Sequence, residues 1–249
     1  MLGLGNRKNK ASLGRSIEEM HALAEDIAHN RCGESIRITL HDKVDDVFFE
    51  KLGSALQQNT STKYLTLDSK KLSLEAVEHI ATGLKKNTYL EKISFRCCRI
   101  NDQGAQFLAD ALTQNHHLQT LSLEWNKIGD VGAIAIANAL KVNRGLRSLI
   151  LRKNAIGDAG GIALAEALRI NSVLSLFSAW ENNMGDKTAI AMAEAMGENH
   201  AMTDLSLDIN GLNGTNWSVF EAPIIGKHKN LLYFGAMGGG HTNALREYI

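Results

Sequence analysis

One proline, Pro223, interrupts 249 residues. That excludes a proline-rich linker between separately folding parts, and it leaves almost every residue with a backbone donor for helix or sheet. Cysteine is equally sparse. Cys32, Cys97 and Cys98 are too few and too clustered for a disulfide framework, which favours a reducing compartment, and the cytoplasm is the expected location. Neither sign of charge is in excess, with 27 basic residues against 27 acidic, so bulk charge would recruit neither nucleic acid nor membrane, and neither is an expected partner. No stretch comes near the roughly 18 apolar residues of a membrane span. No apolar run precedes Ile17, so no conventional secretory signal is expected, and Leu2 excludes N-myristoylation. The sequons that begin at Asn59, Asn213 and Asn216 are read as chance.

What the chain has in plenty is copies of itself. Leu118, Leu121, Leu123, Asn126 and Ile128 return 28 residues later as Leu146, Leu149, Leu151, Asn154 and Ile156. The pattern is L-x-x-L-x-L-x-x-N-x-I, then G-D-x-G, then an Ala/Leu-rich run. Leu121 and Leu123 alternate with Thr120, Ser122 and Glu124, the period of a short strand with one buried face. Asn126 follows, where its amide can hydrogen-bond backbone groups that the turning chain leaves unpaired. Asp130 is placed as a helix N-cap, expected to accept from the amides of Gly132 and Ala133. Ala133, Ile136, Ala137 and Leu140 then fall at i, i+3, i+4 and i+7, one apolar stripe on a helix. A strand and helix this short cannot bury their apolar faces alone, so the unit is stable only when stacked on its copies.

Taken in order, residues 1 to about 15 carry four basic residues and no acidic one and read as a mobile arm. Ser16 to about Ala28 shows Ile17, Met20, Leu23, Ala24 and Ile27 at helical spacing, with Ser16 and Glu19 as a capping box. This helix should close the front of the stack, so that 1–32 form the arm and capping helix and 33–249 the repeat domain. The first unit, 33–61, is degenerate, with Ile36, Ile38 and Leu40 in the strand and Phe49, Leu52 and Leu56 in the helix. Lys70 and then Cys98 stand where asparagine belongs. Later copies open at Leu118, Leu146, Leu174 and Met202. In the last of these, Trp217, Phe220 and Pro223 replace the Ala-rich helix. Leu231, Phe234 and Ala236 write a terminal strand before GGGH at 238–241. The total is about seven units, with parallel strands lining an arc and helices outside.

The period of 28, the helical outer segment and the L-G-D-x-G-A-x-A-L-A-x-A-L grammar resemble the ribonuclease-inhibitor type of leucine-rich repeat over roughly residues 33–236. Similar repeats occur in ribonuclease inhibitor, in innate-immune receptors, in the activator of the Ran GTPase and in effectors of bacterial pathogens. The resemblance implies an α/β solenoid, a horseshoe with a concave parallel β-sheet and convex α-helices. It also implies that the concave face grips another macromolecule and that the repeats do no chemistry. In that subclass cysteine alternates with asparagine at the position of Cys98.

Two files of residues should line the concave face, with strands about 4.8 Å apart. One is Asp68, Arg96, Glu124, Arg152, Trp180, Asp208 and Met237, and its neighbour is Ser69, Cys97, Trp125, Lys153, Glu181 and Ile209. Trp125 and Trp180 thus lie two units apart with Arg152 and Lys153 between them, and tryptophan and arginine are enriched among binding hot spots. The patch Arg96, Glu124, Trp125, Arg152, Lys153, Trp180, Glu181 and Asp208 is the candidate partner-binding centre. The same residues admit a purely structural reading, because charges alternating on successive strands can form a ladder of ion pairs and a tryptophan can stack on Arg152.

Other constellations are weaker. Cys97 and Cys98 should point outward and inward, and no second C-x-x-C accompanies them, so packing is favoured over metal or redox chemistry. His116, His117 and His200 recur at one loop position, which repeat grammar explains better than catalysis. Gly3-Leu4-Gly5 and Gly226-Lys227 lack the spacing of phosphate loops. Ser94, Ser122, Ser178 and Ser206 have no acid-base dyad beside them. The expectation is therefore a monomeric, non-enzymatic module with no cofactor or metal that binds a protein on its concave face, with a bacterial effector acting in a host cytosol as one setting. The alternative is a GTPase-activating protein similar to the Ran activator, although no arginine matches a finger.

Overall fold

The structure is a computed structural model that describes residues 16–40, 45–207, 210 and 233–235. The basic arm, the altered seventh unit around Trp217, Phe220 and Pro223, and the GGGH segment lie outside them. Helices are α1 (Ile17–Ala28), α2 (Asp46–Gln58), α3 (Leu74–Lys86), α4 (Asp102–Gln114), α5 (Asp130–Val142), α6 (Asp158–Ile170) and α7 (Asp186–Glu198). Strands are β1 (Ser35–Leu40), β2 (Tyr64–Ser69), β3 (Lys92–Arg96), β4 (Thr120–Ser122), β5 (Ser148–Ile150), β6 (Leu176–Ser178), β7 (Asp204–Ser206) and β8 (Tyr233–Gly235). The strands pair in chain order, all parallel, in one open sheet. Register follows the repeat, with Leu65 beside Ile93, Leu121 beside Leu149, and Phe177 beside Leu205. Each helix packs on the next, from α1 on α2 to α6 on α7. Packed helices need about 8–10 Å and strands about 4.8 Å, a mismatch that puts the sheet on the inner side and the helices on the outer side wherever the stack curves.

The core lies between the two layers. Leu121, Leu123, Ile128, Ile136 and Leu140 are all buried, as are Leu149, Leu151, Ile156, Leu164 and Leu168 one unit on. Full burial of one such side chain contributes about 1.5–3 kcal/mol, and each stripe is covered by its neighbours' stripes. In α1, the Ser16–Glu19 capping box forms and Met20, Leu23, Ala24 and Ile27 are buried. Ile17, expected in the same stripe, is 51% exposed.

Two networks tie unit to unit. Asn126 Nδ2 donates to the Phe95, Leu123 and Glu124 carbonyls, and its Oδ1 accepts from Ile100 N. Asn154 and Asn182 repeat the arrangement. Cys98 fills the same place, its thiol donating to the Leu67 and Arg96 carbonyls. The second network is built from Asn59, Asn87, Asn115, Asn143, Asn171 and Asn199, the residues that end α2 to α7, and all six are buried. Asn143 Nδ2 donates to the Leu112 carbonyl of the preceding helix and to the Asn115 carbonyl, while its Oδ1 accepts from Gly145 N and Leu146 N. Carbonyls that a helix end leaves unpaired are thus satisfied by the next unit. This second asparagine recurs every 28 residues in plain sight, and sequence reading passed over it. Asn59 belongs to it, with Nδ2 on the Ile27 carbonyl at 2.6 Å, so its sequon is sealed in the folded chain.

The expected role of Asp130 is corrected. The N-cap of α5 is Gly129, and Asp130 is the first helical residue. Its carboxylate accepts from Gly157 N at 2.8 Å and Gly160 N at 2.9 Å, capping α6 rather than α5. Asp102 does the same for Gly129 and Gly132, and Asp158 for Gly185 and Thr188. A Cβ on Gly157 would stand 3.2 Å from Asp130 Oδ2, so glycine is favoured there by the neighbouring carboxylate and not by the backbone, whose φ of −96° suits any residue. Where the preceding unit has Leu74 in place of aspartate, α4 is capped by its own Asn101, on Gly104 N at 3.1 Å.

Candidate protein-binding face

Seven of the eight candidate residues fall within four consecutive units, and the eighth, Asp208, lies outside the described residues, as do Ile209 and Met237. Glu124, Arg152 and Trp180 stand two residues past the ends of β4, β5 and β6 and form the first file. In a regular strand the next residue would point inward. It does not, because Cys97, Trp125, Lys153 and Glu181 have φ of 58°, 59°, 55° and 53°. That left-handed turn carries the second file outward while the ladder continues, Trp125 N donating to the Arg152 carbonyl and Lys153 N to that of Trp180. Cys, Trp, Lys and Glu are not residues that favour this conformation, which costs roughly 1–2 kcal/mol each. The strand pairing on either side imposes it. Ser69 is the exception in its file. It ends β2 as regular strand and is buried, its hydroxyl donating to the Lys71 carbonyl. Ser94 and Ser122 are also covered.

The side chains of the patch meet across units. Arg96 Nε lies 3.3 Å from Glu124 Oε1. In the second file Lys153 Nζ sits 3.7 Å from the centre of the Trp125 ring and 2.8 Å from Glu181 Oε2, so one ammonium bridges three units. In the first file the Arg152 guanidinium lies 3.7 Å over the Trp180 ring. Each indole therefore carries a cation on one face, worth about 0.5–1 kcal/mol where exposed and about 2 where desolvated. The structural reading is thus realised in part, through ion pairs and an Arg152 stack. Trp125 is nonetheless 42% exposed, its free face turned to solvent by the left-handed turn. The stack also covers Arg152 Nε and Trp180 Nε1 and gives neither an acceptor. A donor left in that state costs about 1–3 kcal/mol.

Other sequence candidates are structural. Burial pushes the Cys98 thiol up to about 12, so it is a protonated hydrogen-bond donor, whereas Cys97 is exposed. His116 Nδ1 accepts from Arg144 N at 3.2 Å, one link between loops. Among the described residues no group of three or more His, Cys, Asp and Glu is arranged to hold a metal, and no helix is long and apolar enough to cross a membrane.

A family model described as Leucine Rich repeat matches residues 86–109, 114–137 and 142–165, segments that begin 28 residues apart as the internal period does. The chain is similar to three solved structures. The yeast Rad7 and Elc1 complex is 15% identical over 88% of this chain and 56% of that one, with a TM-score of 0.52. Leiomodin-1 actin-binding site 2 is 20% identical over 61% and 87%, with a TM-score of 0.44. The tropomodulin C-terminal domain of Caenorhabditis elegans is 11% identical over 84% and 92%, with a TM-score of 0.38. No curated protein sequence matches. The matched repeats, the parallel sheet in chain order and the helix in each unit that is described together show leucine-rich repeats stacked as an α/β solenoid.

Proposed function

We propose that this chain is a non-enzymatic interaction module that binds a protein partner on its concave face, centred on Trp125, Arg152, Lys153 and Trp180 and flanked by Arg96, Glu124 and Glu181. The observation that carries the reading is Trp125. A large aromatic ring is held half-exposed on a left-handed residue, with one face fixed by Lys153 and the other open. Its geometry is set before any partner arrives, so little side-chain entropy is lost on binding. The setting proposed is that of a bacterial effector acting on a protein in the host cytosol, in keeping with the company such repeats keep.

The test is affinity capture from host-cell lysate with the wild-type chain and with the Trp125→Ala/Trp180→Ala variant, followed by mass spectrometry. The expected result is a partner that the wild type retains and the variant loses, with a thermal melt that moves little. Undiminished capture by the variant would sink the proposal. Acceleration of GTP hydrolysis on mixing with a small GTPase would replace it with the activator reading.

A further inference from the structure

We infer that Arg152 is the specificity point of this face and that it takes a carboxylate from the partner, an aspartate or glutamate side chain or a chain terminus. The inference rests on the proposed binding face and names the chemistry that face selects. Three cations stand in the two files among the described residues, Arg96, Arg152 and Lys153. Arg96 is held by Glu124, and Lys153 by Glu181, in each case a carboxylate at the same position one unit on. The position one unit on from Arg152 is Trp180, which offers a ring face and no acceptor. Glu124, one unit back, is already engaged by Arg96. Arg152 is therefore a half-buried guanidinium that aromatic stacking holds in place and that no carboxylate among the described residues neutralises.

Arg152 Nε and Trp180 Nε1 are both buried donors without an acceptor among the described residues, and the nearby Glu181 carboxylate is turned to Lys153. With Nε covered, a guanidinium held over an indole keeps its two Nη groups for a partner, and a carboxylate matches that pair through two parallel hydrogen bonds. Charge selects among anions. Among the described residues of the patch, the two ion pairs cancel and one positive charge is left, which one carboxylate neutralises and a phosphate dianion would overshoot. Trp125, in the neighbouring file, adds an apolar contact, so the partner segment carries an acidic and an apolar side chain within a few residues of each other.

The test pans a phage-displayed library of random twelve-residue peptides on the wild-type chain, and then measures synthetic copies of the enriched peptides by calorimetry. Each peptide is made as found and with every Asp or Glu changed singly to its amide. Both forms are measured on wild type, Arg152→Gln, Arg152→Lys and Trp125→Ala, after circular dichroism melts confirm that each variant folds. One acidic residue of each peptide should prove necessary, its amide form binding wild type at least about tenfold more weakly. The same change should have no effect on Arg152→Gln, and Arg152→Lys should recover only part of the loss. Peptides that need Trp125 but tolerate every amide change, or that bind Arg152→Gln as well as wild type, overturn the carboxylate inference and leave the binding face standing. Enriched peptides indifferent to Trp125 and Arg152 alike, or no enrichment at all, overturn both.

Discussion

Replacing Asp130 by alanine tests the claim that each unit caps the helix of the next. The substitution removes a carboxylate that accepts from Gly157 N and Gly160 N and that also lies in the first turn of its own helix α5. Loss of an N-cap side chain costs about 1 kcal/mol, and loss of a negative charge near two helix N-termini about 0.3–1 kcal/mol each. The sum is about 2–3 kcal/mol, which for a chain of this size lowers the melting temperature by about 4–12 °C. The second substitution is the sharper one. In wild type, Gly157→Asn should destabilise, because the new Cβ meets Asp130 Oδ2 at 3.2 Å. In the Asp130→Ala background that space is empty, and the introduced asparagine can cap Gly160 N as Asn101 caps Gly104 N, returning about 1 kcal/mol. One substitution should thus change sign with its background. Urea denaturation of the four proteins measures the cycle, and amide exchange locates it, with protection falling at Gly160 and unchanged at Ala133. An effect at Ala133 instead, or a double variant no more stable than Asp130→Ala, would refute capping between units.

Asn143→Ala strips partners from three buried backbone groups and one half-buried one and should cost about 3–4 kcal/mol, whereas Asn183→Ala on the exposed surface should stay within about 0.5 kcal/mol; urea midpoints compare them. An alkylating reagent at pH 8 should modify Cys97 quickly and Cys98 only after unfolding, since burial pushes the Cys98 thiol up to about 12 and Cys97 is exposed; mass spectrometry of peptides reads the order. Burial pushes the Asp158 carboxyl up, but the Thr188 hydroxyl and the Gly185 and Thr188 amides together outweigh it and hold its pKa below 3.8. A carboxyl depressed by folding contributes stability above its unfolded value, and that stability is lost as pH falls through the folded one. Asp158→Asn should therefore flatten the fall in urea midpoint between pH 5 and pH 3, and an unchanged slope would contradict the assignment.

The fold was legible because a period of 28 forces agreement between levels. One alternation places every strand, one stripe places every helix, and each unit's apolar face can be covered only by the next. The same periodicity hid the capping partner. Asp130 bonds the amide 30 residues on, and 30 is one period plus two, so the pattern looks the same as a bond to Gly132 within the unit. Only a break in the repeat separates the alternatives, and the break is present. Leu74 replaces the aspartate, and the compensating cap appears one unit later, at Asn101, while glycine follows at 129, 157 and 185 after Asp102, Asp130 and Asp158. The candidate site divides along the same line. Partners one unit apart, Arg96 with Glu124 and Lys153 with Glu181, could be read from spacing. The left-handed turn that presents Trp125 could not, because it is imposed by pairing on both sides against the preference of the residues that adopt it. At Arg152 the ladder of charges fails, since the next position holds an indole where a carboxylate would close the pair. As at Leu74, the departure from the repeat is the informative residue. At Leu74 the chain supplies its own substitute, and at Arg152 among the described residues it supplies none.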